Sequence, residues 1–370
     1  MNDTVAVQPA TPSSPLAGWR REKFEFRGTA REYFGIWIVN VLLTIVTLGI
    51  YSAWAKVRRQ RYFYGNTWLA DASFEYHARP MPILFGRIVV VIILVAYNLA
   101  VEFMPLVGGL IAIAFLFALP WFIMRGLRFN ARVTSYRNVR FDFTGGYGGA
   151  FLAYVLGGAL IYGSAGILAP LASQWMWSYT LGNLRYGDRP IKCDPRLEKL
   201  FGQLLLPAIV LVVGLIVVGT VMVAAVVAFL HANPDMFEPE AGGPSPYLIL
   251  IAVYLVLVPF LILYFFAGLI YRAGTRNVAF NETVVDGRHL LASSIHRGRY
   301  VWIAFTNILA TLGSLGLARP WAAVRMARYT ASVTALDATT SLDEYVGTLR
   351  DEGAAVGSEY MDVEGFDFGF

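Results

Sequence analysis

The chain has 370 residues, of which 57% are hydrophobic and 15% charged, with a mean hydropathy of +0.55. Soluble domains run at roughly 45–50% apolar and about 25% charged, so a water-soluble globular protein is excluded. The single cysteine, Cys193, excludes an internal disulfide framework and a Cys-based metal site, and the net charge of +5 matters mainly through its placement.

The first 23 residues are polar, with Pro, Ser and Thr and no apolar core before a cleavage site, which reads as a disordered tail. Apolar runs follow at 35–53, 82–101, 106–124, 149–172, 203–230, 247–271 and 300–318. Several exceed the ~18–20 residues that a helix needs to cross a bilayer, and none shows the alternation of a transmembrane barrel. The expected fold is an all-α polytopic membrane protein with small cytoplasmic β pieces.

Two links between runs carry no Lys or Arg: Glu102 to Leu106, and His231 to Pro246. The basic clusters lie at 20–31, 56–87, 125–140, 185–199 and 272–299. The positive-inside rule puts these clusters in the cytoplasm and the two links outside. Runs 2 and 3 then form one transmembrane hairpin (about 82–124), and runs 5 and 6 another (about 203–271). Runs 1, 4 and 7 have basic residues on both sides and read as re-entrant segments turning back at Gly49, Gly166 and Gly316. Seven full crossings is the alternative.

Internal repeats favour the first reading. Tyr33–Tyr62 matches Tyr300–Tyr329 at 13 of 30 positions without a gap, and Phe24, Gly49 and Tyr62 find partners in Phe141, Gly166 and Tyr179. The membrane domain over 24–336 thus holds three tandem units, about 24–78, 141–195 and 280–336, separated by the two hairpins. The stretches Phe24–Phe26, Asp71–Tyr76 and Phe141–Phe143 alternate like short strands. Beyond 337 the tail turns acidic, with a capping box over Ser341–Glu344 and a Phe-x-Phe end at 366–370, and could recruit a protein partner.

Within the units, Trp54, Arg58, Arg61 and Tyr62 form one helical stripe, repeated by Trp321, Arg325, Arg328 and Tyr329. Trp and Tyr favour the headgroup level and an Arg fork fits a phosphate, so these are candidates for binding anionic lipid. An ordinary interfacial anchor is the plainer reading. Asn40, Thr44 and Gly49, with Asn307, Thr311 and Gly316, are candidates for lining a solute path, because an amide inside an apolar run needs a partner. Glue between helices is the plainer reading there. Arg87 near the start of run 2 reads as a snorkelling side chain. The sequence carries no His-Glu-x-x-His, no Gly-x-Ser-x-Gly and no phosphate-loop signature. No enzyme, cofactor, metal or nucleic-acid partner is expected.

The repeated Leu-Gly-[Ile/Leu]-x-x-x-Trp-Ala-x-Val-Arg-x-x-Arg-Tyr resembles the YjgN-like family of bacterial inner-membrane proteins, over about residues 20–370. The resemblance implies a bacterial cytoplasmic membrane location, and because the family's molecular function is uncharacterised it supplies no catalytic residues to carry over. Two functions are therefore expected as alternatives: a channel or carrier for a small solute, or a non-transporting scaffold that binds anionic lipid or a protein.

Overall fold

A computed structural model describes residues 20–232 and 246–339. Most of the N-terminal tail and of the second uncharged link lies outside the described residues, as do the capping box at 341–344 and the Phe-x-Phe end.

Among the described residues, ten short strands close into one antiparallel barrel: β1 (Arg20–Phe26), β2 (Thr67–Leu69), β3 (Ala72–Tyr76), β4 (Thr134–Tyr136), β5 (Val139–Phe143), β6 (Leu184–Tyr186), β7 (Arg189–Cys193), β8 (Thr283–Val285), β9 (His289–Ser293) and β10 (Thr334–Ala338). Each strand pairs with its neighbour in sequence, and β1 pairs with β10 to close the ring. The all-α expectation is thereby corrected. The β pieces are the staves of a single barrel that carries every helix, and β1 begins inside the stretch read as a tail. The strands are too short to show a period of their own, and the seam joins residues more than 300 apart. At that seam Arg21 donates to Asp337 through two bonds, of 2.7 and 2.8 Å.

Side chains from the strands pack together inside the barrel. Leu69, Tyr136, Val139, Tyr186 and Leu336 meet inside it, and the Phe74 ring stacks between Phe24 and Phe141 at centroid distances of 6.0 and 6.4 Å. The polar tips of this core are satisfied, as buried hydroxyls must be. Tyr136 donates to the Leu69 carbonyl at 2.8 Å, and Tyr186 to the Tyr136 carbonyl at 3.0 Å.

The helices are α1 (Ala30–Val46), α2 (Ser52–Gly65), α3 (Pro80–Phe103), α4 (Pro105–Arg132), α5 (Tyr147–Gly163, wound as a π-helix over Phe151–Leu156), α6 (Ala169–Thr180), α7 (Leu197–Ala232), α8 (Pro246–Asn281), α9 (Arg297–Gly313) and α10 (Arg319–Ser332). Strand, two helices, strand recurs five times round the ring, from β1-α1-α2-β2 to β9-α9-α10-β10. Every helical pair leaves and rejoins the barrel at the same end. The tight turns at the other end use left-handed residues such as Ala70, Arg137, Asn138 and Gly187.

Four of the five units are closed at the base in the same way. The N–H groups of Arg27, His77, Thr144 and Ser294 bond the carbonyls of Asn66, Val133, Asn183 and Val333 at 2.7–2.9 Å. In the remaining unit the Glu282 carboxylate accepts from the Arg196 N–H at 2.5 Å. Neighbouring units are then clasped together by a second ring of bonds. Arg61 donates to the Ala78 carbonyl (3.2 Å), Arg128 to Gly145 (3.4 Å), Gln174 to Pro195 (3.0 Å), Asn277 to Ile295 (2.9 Å) and Arg328 to Gly28 (3.0 Å).

The helices differ in length. Among the described residues four are long and apolar enough to cross a membrane: Pro80–Phe103, Pro105–Arg132, Leu197–Ala232 and Val253–Asn281. By contrast α1, α5 and α9 each have 17 residues, about 26 Å at 1.5 Å per residue, against a hydrocarbon core of about 30 Å. A capping box starts α1, with Thr29 Oγ1 accepting from the Glu32 N–H at 3.3 Å and Glu32 accepting from the Thr29 N–H at 3.4 Å.

Candidate functional site

The tips of the three short hairpins share one geometry. Leu48-Gly49, Ala165-Gly166 and Leu315-Gly316 are all left-handed, with φ of 49–51° at the first residue and 88–94° at the glycine. The glycine N–H reaches back to Thr44, Ile161 or Thr311 at 2.7 Å in every case, the 6→1 bond of a Schellman turn. A hydroxyl completes each turn. Thr47, Ser164 and Ser314 accept from the N–H of Tyr51, Leu168 and Ala318 at 2.8–2.9 Å. Leu48 and Leu315 are each 95% exposed. A tip that satisfies its own backbone and points leucine outward is chemically suited to hydrocarbon, where no water can supply missing bonds.

Beside the first of these tips lies a cavity of about 530 Å³, between α1, α2, the start of α3 and the first residue of α10. Lys56, Arg59, Arg87 and Arg319 line it, and none of the four has a carboxylate within ion-pair distance among the described residues. Arg87 donates to Ser52 Oγ. Arg59 and Arg319 are exposed at the mouth, while Lys56 is half-buried. Burial, and then the like charges of Arg87 and Arg59, push the Lys56 ammonium below the ordinary lysine range. Asn40 and Thr44 complete the wall. Asn40 is 7% exposed and its Oδ1 is buried without a hydrogen-bond partner among the described residues, while Thr44 donates to the Asn40 carbonyl at 2.6 Å. Uncompensated positive charge is a costly arrangement in an empty protein and a favourable one around an anion.

The expected residues divide between this cavity and the scaffold. Asn40 and Thr44 line the cavity, with Gly49 at the tip beside it. The counterpart Asn307 is wired into its own hairpin: its Nδ2 donates to the Ala322 carbonyl at 3.1 Å and its Oδ1 accepts from Arg325 at 3.1 Å. Thr311 donates to the Asn307 carbonyl at 2.7 Å, and Gly316 makes the tip.

Arg61 and Arg328 are the clasps already described. Tyr62 and Tyr329 tie the two helices of a hairpin together, donating to the carbonyls of Thr29 (2.7 Å) and His296 (3.2 Å). Arg58 donates to the Tyr51 hydroxyl at 3.1 Å, and Tyr51 stacks on Trp54. Trp321 and Arg325 make a cation–π pair at 5.0 Å and line a second recess with Arg299 and Arg328. Lys56, Arg59 and Arg319 were not expected. Their signal in the sequence is difference: the repeat aligns them with Ala323, Met326 and Ser52, so the comparison of copies passes over them.

The curated relatives agree with the membrane character. Over 121 residues the chain is 40% identical to the inner membrane protein YjgN of Escherichia coli O157:H7, and 39% identical to that of strain K12. Over 124 residues it is 36% identical to the protein of the same name in Salmonella typhimurium. Each alignment spans 32% of this chain and 30% of the relative's length. No solved structure matches the chain. A family described as bacterial protein of unknown function (DUF898) matches residues 21–363, and with all of the barrel but the first residue of β1 inside that span, the chain belongs to that family.

Proposed function

We propose that the chain is a multi-pass protein of the bacterial cytoplasmic membrane that binds an anionic ligand between its first helical hairpin and the neighbours of that hairpin. The barrel and the described strand ends face the cytoplasm, four helices cross, and the three short hairpins are re-entrant. Pairing of Phe26 with Thr67, on either side of the first hairpin, supports this topology, since hydrogen-bonded strands cannot be parted by a bilayer. The observation that carries the binding reading is the cluster of Lys56, Arg59, Arg87 and Arg319 without a carboxylate.

The test is thermal unfolding of the purified full chain in neutral detergent, at fixed ionic strength, with inorganic phosphate added. A rise in Tm that is lost in Lys56→Gln with Arg59→Gln is expected. No rise in the parent protein overturns the reading.

A carrier for a small anionic solute is the second reading, supported by Asn40 and Thr44 on the cavity wall. Flux of labelled phosphate into proteoliposomes separates it from a non-transporting scaffold. Flux that disappears with Asn40→Leu favours the carrier, and an absence of flux the scaffold. Against a pore through the barrel axis stands its aromatic filling.

A further inference from the structure

A second hollow, of about 690 Å³, adjoins the basic cavity, and the two share Ser52, Lys56 and Arg87 as a common wall. Its chemistry is the opposite. Away from that wall it is lined chiefly by Ile83, Ile88, Val91, Phe122 and Phe129 of α3 and α4, with Leu48 and Ile50 of the tip. Gly126 of α4 opens the groove, because a Cβ there would meet nothing within 4 Å. The molecule therefore offers a positively charged chamber and an apolar trough side by side, beneath a hairpin tip that exposes leucine.

Resting on the anion-site reading, we propose that the ligand is a single anionic phospholipid, its phosphate among Lys56, Arg59, Arg87 and Arg319 and one acyl chain in the groove along α3 and α4. Charge complementarity chooses the headgroup: four cations without a counter-ion suit a phosphate, and an arginine fork accepts two of its oxygens at once. The apolar trough chooses an amphiphile over a free phosphate, which would leave the hollow empty. Phosphatidylglycerol carries this charge on a simple phosphodiester, and phosphatidylcholine offers the same phosphate and chains without the net charge.

The proposal is tested by native mass spectrometry of the delipidated full chain in neutral detergent, with phosphatidylglycerol or phosphatidylcholine added. One retained phosphatidylglycerol and no retained phosphatidylcholine are expected. Gly126→Phe fills the trough from a position with room for it, and should weaken retention by about tenfold or more, the equivalent of a couple of methylenes losing their contacts. The same variant should keep the phosphate-dependent rise in Tm, which also shows that it folds. Equal retention of both lipids, or retention untouched by Gly126→Phe, overturns the lipid proposal. Phosphate stabilisation that persists in that case leaves the anion-site reading standing, whereas its absence in the parent protein removes both.

Discussion

The first and last hairpins, α1-α2 and α9-α10, follow the same course and end in the same tip, yet their polar groups are wired differently. In the last hairpin Asn307 gives its amide to the Ala322 carbonyl and takes a bond from Arg325, which also reaches Thr306 at 2.6 Å. That network is closed within one unit. In the first hairpin the arginine at the matching place, Arg58, turns to Tyr51, and Asn40, on the wall of the basic cavity, buries an oxygen that has no hydrogen-bond partner among the described residues. One backbone thus supports both a sealed polar core and an open one. The open copy has a price in stability that a ligand can offset.

The comparison can be broken most strongly at its two asparagines. Asn307→Leu takes one of two side-chain acceptors from Arg325 and the amide donor from the Ala322 carbonyl, and should cost about 1–3 kcal/mol, seen as a lower Tm in detergent. Asn40→Leu removes an acceptor without a partner, and should leave the Tm of the lipid-free protein unchanged or higher. Equal losses at the two sites would show that the hairpins are wired alike after all.

Next in size are the clasps between units. Arg328→Gln and Arg61→Gln each exchange a charge-assisted bond to a neighbour's carbonyl for a neutral one or none. An expected loss of about 1 kcal/mol each, similar in both because the two clasps are equivalent, would appear in the same unfolding experiment. Unequal losses would mean that the seam between the last and first units is not held like the others.

Lys56 sharpens the contrast further, through pH. Its lowered pKa means that the unfolded chain holds this proton more tightly than the folded one. Stability of the lipid-free protein should therefore rise as pH climbs through the lowered folded value towards the ordinary lysine pKa of about 10.4. Lys56→Gln should be the more stable protein at neutral pH, and its advantage should shrink in alkali. Bound anion should abolish the difference. A flat or opposite pH dependence would mean that the ammonium is not crowded by Arg87 and Arg59.

The smallest effect concerns Cys193. Burial in the barrel wall pushes its thiol up to about 11, so thiol reagents at neutral pH should modify it only after denaturation. Rapid labelling of the folded protein would show that β7 opens readily, and until then the native cysteine cannot report which side of the membrane it occupies.

The four long apolar helices and the three hairpin tips were legible, because apolar runs and the glycines that break them are local signals. The short hairpins could be aligned through Gly49, Gly166 and Gly316, since the turn demands left-handed backbone at those places. The barrel was not legible. The Phe-x-Phe that marks β1 and β5 becomes Ile191-Lys192-Cys193 in β7 and Leu291-Ala292-Ser293 in β9. What the positions share is burial of the third residue, which a scan for aromatic residues misses. For the same reason the two long hairpins were set outside the units, although they stand on the barrel as the short ones do. Asn40 stood out as an amide in an apolar run. Arg319 could not be joined to it from sequence, because only closure of the ring brings α10 against α1.

The most direct test of the whole account is single-cysteine accessibility in intact cells, using a membrane-impermeant maleimide on Leu48→Cys, Ala165→Cys, Leu315→Cys and, in the first uncharged link, Phe103→Cys. The account predicts labelling at 103 and none at the three tips, which on the proposed topology stop within the hydrocarbon. Labelling of any tip as readily as of 103 would mean that the hairpin crosses the bilayer, and would contradict five helical pairs rising from one end of a cytoplasmic barrel.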